Sequence, residues 1–107
     1  MSDTGRSGRE TLTLDLLWLP SSHGGRRVDP FPGLRVGIRW QRRVGEHLDS
    51  YRDIQLDEVT LDPTSRQGRA IGRLVTDVPA VWVQEGELVE LLEGFRVVAI
   101  GRLEEKA

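Results

Sequence analysis

LRVGIRWQRR, residues 34–43, is the stretch on which the fold turns. Leu34, Val36, Ile38 and Trp40 alternate with Arg35, Gly37, Arg39 and Gln41. Side chains of an extended chain point to opposite faces at a period of two, so one face here is wholly apolar and the other basic. Burying those four apolar side chains contributes on the order of 6–12 kcal/mol, an upper bound comparable to the whole net stability of a small domain. The stretch predicts a strand with one face in a core.

Working toward the N-terminus, residues 21–33 read SSHGGRRVDPFPG, a long connection rich in turn formers. Before it, Leu12, Leu14 and Leu16 alternate with Thr11, Thr13 and Asp15 as in a half-buried strand, extended by Leu17-Trp18-Leu19 as a more buried run that Pro20 ends. Residues 1–10 carry no apolar periodicity and are expected to form a disordered tail, which leaves 11–107 as a single domain.

Toward the C-terminus, residues 47–61 carry mixed signals. Leu48, Tyr51 and Ile54 lie at helical spacing while Ile54 and Leu56 alternate as in a strand, and extended structure is the favoured reading. A turn is expected at 62–65, a strand over 69–76 weakened by Gly72, and a short β-rich piece at 80–83. Residues 88–92 and 96–103 form a hairpin across Glu93-Gly94-Phe95. About six short strands, glycine-rich turns and no convincing amphipathic helix predict an all-β fold, a small antiparallel barrel or sandwich.

The chain has 107 residues, 37% hydrophobic and 30% charged, which suits one packed core rather than disorder. It has no cysteine, so disulfides and thiolate metal sites are ruled out and a reducing compartment fits. Without an apolar leader or a stretch of ~20 apolar residues, the expected location is cytoplasmic, with no membrane partner. Net charge is −2 but uneven: residues 24–43 hold six Arg against one Asp, 44–62 hold six acids against Arg52, and 77–107 hold seven acids against three bases. Strands that fold back can bring these blocks together to neutralise one another. Of fifteen basic residues only Lys106 is lysine, a bias that genome base composition accounts for more simply than function does.

Little here can do chemistry. His23 sits beside Ser22 in a Gly-rich loop, but adjacent residues rarely aim a hydroxyl at an imidazole with an acid behind it, so a solvated loop histidine is the simpler reading. Glu85, Glu87, Glu90 and Glu93 could pair for acid–base work or hold a hard cation, yet no other ligand clusters with them, and a solvated face is expected. There is no GxxxxGK[ST] loop and no GxGxxG after a strand. The expectation is a chain without catalytic residues, metal, cofactor or bound nucleoside triphosphate.

The motifs, taken in order, resemble a known domain. A strand ending at Leu19, then Gly24-Gly25-Arg26, Pro30-Phe31 and Gly33-Leu34-Arg35 leading into the next strand, are similar to the opening of the C-terminal barrel of elongation factor Tu. Val78-Pro79-Ala80 and the closing run from Leu92-Glu93-Gly94-Phe95-Arg96 to Gly101 resemble its final hairpin, while residues 44–67 match poorly. The resemblance implies a six-stranded antiparallel barrel that does no chemistry but packs on neighbouring domains and grips the T-arm of aminoacyl-tRNA. Of the three family positions considered for that grip, Gly94 is kept, while Gly37 and, without a gap, Glu46 stand where the family has Gln and Thr. The GTP-binding domain has no counterpart here.

Two binding modes follow. The first is a protein-interaction module, suggested by Trp18, Trp82 and Phe95, which exceed what one core face needs, although burial of all three in the barrel is the simpler expectation. The second is RNA binding through Arg26, Arg27, Arg35, Arg39 and Arg43, with Arg35 and Arg39 ~13 Å apart on one strand face. A pI of 5.7 weighs against the second. Candidate contact residues, for a protein partner or for RNA, are Arg26, Arg35, Arg39, Arg43, Gly94, Phe95 and Arg96.

Overall fold

The structure is a computed structural model that describes residues 11–43, 51–76 and 78–104. Six strands account for most of it: β1 (Thr11–Trp18), β2 (Leu34–Trp40), β3 (Tyr51–Val59), β4 (Gln67–Leu74), β5 (Leu88–Glu93) and β6 (Arg96–Leu103). They close into an antiparallel barrel in the order β1-β4-β3-β2-β5-β6, with β6 paired back onto β1. Closure leaves no strand edge unpaired, which removes the row of free backbone donors that invites aggregation. The all-β fold expected from the alternation is borne out, and of the two architectures it left open the structure is the six-stranded barrel.

The strand burial patterns show why these residues close a barrel. Along β2, Leu34, Val36, Ile38 and Trp40 are buried, and they meet Leu12, Leu14, Leu16 and Trp18 of β1, Ile54 and Leu56 of β3, and Leu91 and Val98 in one core. A bulge shifts the β3–β4 register between Leu56 and Glu58, and another shifts β5–β6 between Leu91 and Leu92. Such extra residues raise local twist and help a sheet curl shut.

Strand order decides where the connections run. β1 and β2 lie three positions apart in a ring of six, so residues 19–33 cross one end of the barrel. β4 and β5 are equally opposed, and residues 78–87 lead across the other end into β5. That second crossing is packed: Val78 is buried, and Trp82 and Val83 lie against the core. The Trp40 indole donates to the Trp82 carbonyl at 2.5 Å, and the two rings stand 5.3 Å apart.

Three expectations are corrected. Residues Ala80–Val83 form a single 3-10 turn, not a strand; Pro79 precedes it, and its apolar side chains serve the barrel end rather than a ladder. Leu17 is exposed on the outer face, so the run 17–19 is not uniformly buried. Of the three surplus aromatics Trp18 is buried and Trp82 partly so, but Phe95 is fully exposed. The expected tail at 1–10 lies outside the described residues. No helix among the described residues is long and apolar enough to cross a membrane.

Candidate binding surface

Strand directions bring three connections to one end of the barrel: the 19–33 crossing, the 60–66 turn and the 94–95 turn. The last is the sharpest. Glu93 pairs with Arg96, leaving a two-residue loop in which Gly94 has φ +64° while Phe95 does not share the positive φ. That is the signature of a type II′ turn, whose first central position needs glycine and whose twist matches the flanking strands. The second central residue then projects off the tip, and Phe95 has a relative exposure of 101%.

The base of the turn is clamped. Glu93 accepts from Arg26 of the 19–33 crossing and from Arg96 at 3.3 Å. Arg26 is largely buried, donates through Nε to the Val28 carbonyl at 3.0 Å, and lies over the Phe31 ring at 5.5 Å. Glu93 thus ties two connections together at one end of the barrel, on which Val28, Phe31 and Phe95 are exposed apolar residues. Four of the expected residues, Arg26, Gly94, Phe95 and Arg96, are brought together here. Arg35, at the start of β2, faces outward from the wall.

The other arginines tell a different story. Arg35 pairs with Asp53 across the β2–β3 ladder at 3.2 Å, and Arg39 with Glu90 across β2–β5 at 2.8 Å. Arg42 reaches Glu87 at 2.8 Å, and Arg73 makes a two-pronged contact with Asp57 at 2.7 and 3.2 Å. Hydrogen bonding from Arg73 holds the Asp57 carboxyl below the usual carboxylate range, and Asp57 in turn raises Arg73. The basic block at 24–43 and the acidic blocks after it are therefore interleaved by the strand order. Arg43 belongs to the 3-10 turn Gln41–Arg43, and Glu46 lies outside the described residues.

Gly37, where the resembling family has Gln, is not an open position. The Tyr51 phenol lies against it where a Cβ would stand. The four glutamates do not form a cluster: Glu87, Glu90 and Glu93 are each engaged by arginine, and no group able to hold a metal occurs among the described residues. Ser22 and His23 do meet, with Oγ 3.2 Å from Nδ1, on an exposed loop. The 3-10 turn Ser21–His23 makes that contact, and among the described residues no acid bonds the ring.

No protein-family model matches the sequence, and no curated protein matches it. The surface must be read from its own chemistry.

Proposed function

We propose that this barrel is a non-catalytic binding module that engages another protein through the end carrying the 94–95 turn, with Phe95 as its anchor. The observation that carries this reading is the complete exposure of Phe95 on a clamped two-residue turn. An exposed Phe forgoes roughly 1.5–3 kcal/mol that burial would return, and only a partner can supply that burial here. An aromatic ring on a rigid turn loses little entropy on docking, which is why such residues dominate interface energies.

Relationship to the C-terminal barrel of elongation factor Tu is part of the proposal. It rests on the ordered motifs around Gly24-Gly25-Arg26, Gly33-Leu34-Arg35 and Glu93-Gly94-Phe95-Arg96, together with six-stranded antiparallel closure. That barrel's habit of packing on neighbours favours a protein partner. The cysteine-free composition favours action in the cytoplasm.

RNA binding is the weaker reading, because Arg26, Arg35, Arg39 and Arg96 already face carboxylates. Each would have to exchange a neutralising partner for a phosphate, and the counterion release that drives phosphate binding is correspondingly reduced. Capture from lysate with and without RNase tests the choice. The expected result is a bound protein that survives RNase and is lost with Phe95→Ala. Loss on RNase treatment alone would reverse the assignment.

A further inference from the structure

We draw no further inference here: the strongest candidate, the apolar cleft on the outer wall of β1, β6 and β5 with Leu17, Ile100 and Leu88 at its centre, is rimmed by Asp15 and Glu90 that already pair with Arg102 and Arg39 of the same chain, and nothing in the structure shows what covers it.

Discussion

Arg26 donates to Glu93 from a residue 67 positions earlier in the chain, joining the crossing loop at one end of the barrel to the hairpin that presents Phe95. The pair is largely shielded, so removing one partner leaves the other charged and poorly solvated. Glu93→Gln is expected to lower the melting temperature by a few degrees and to speed amide exchange at Gly94, Phe95 and Arg96. Unchanged exchange at the turn would show that the clamp does not hold it.

The packed end of the barrel gives a second test. Trp40 is fully buried, bonded to the Trp82 carbonyl and set against its ring at a tilt of 50°. Trp40→Asp removes that packing and forces a charge into the core, a loss of roughly 4 kcal/mol or more that a small domain does not survive. Circular dichroism is expected to show the β-rich spectrum of the wild type replaced by that of an unfolded chain.

Legibility followed distance along the chain. The β2 alternation and the β5–β6 hairpin were plain because period two and a Gly turn are local signals. Ala80–Val83 misled because apolar, β-prone residues look alike whether they build a ladder or cap a barrel. That the charge blocks could neutralise one another was legible, but not which residues would pair: Asp53 and Glu90, the partners of Arg35 and Arg39, lie 18 and 51 residues away and meet them only through strand order. The exposure of Phe95 had one local signal, its place directly after Gly94 in a two-residue turn, where no alternation demands burial.

Acid should weaken the barrel through Asp57. Its folded carboxyl titrates below the unfolded value because Arg73 bonds the charged form, so its contribution is fully present above about pH 4 and is lost as pH falls through the depressed folded value. Asp57→Asn is expected to flatten that part of the stability–pH curve by lowering stability slightly above about pH 4, while leaving the acid end, where the contribution is already lost, unchanged. A curve of unchanged slope below pH 4 would show the pair to be idle.

Arg35 and Arg39 provide the contrast between partner classes. Both are exposed or half-exposed members of surface pairs, each worth little. Replacing both by Gln is expected to leave partner affinity and its salt dependence nearly unchanged. A salt slope that shrinks by about one per arginine removed would identify phosphate contacts instead.

The anchor itself is tested by placing a photo-crosslinking benzophenone amino acid at position 95 in living cells, with the same group at Thr13 on the barrel wall as a control. Because Phe95 stands clear of its own barrel, the account expects a discrete protein adduct from position 95 that the control lacks. The absence of any adduct specific to position 95, or adducts that disappear on RNase digestion, would contradict it.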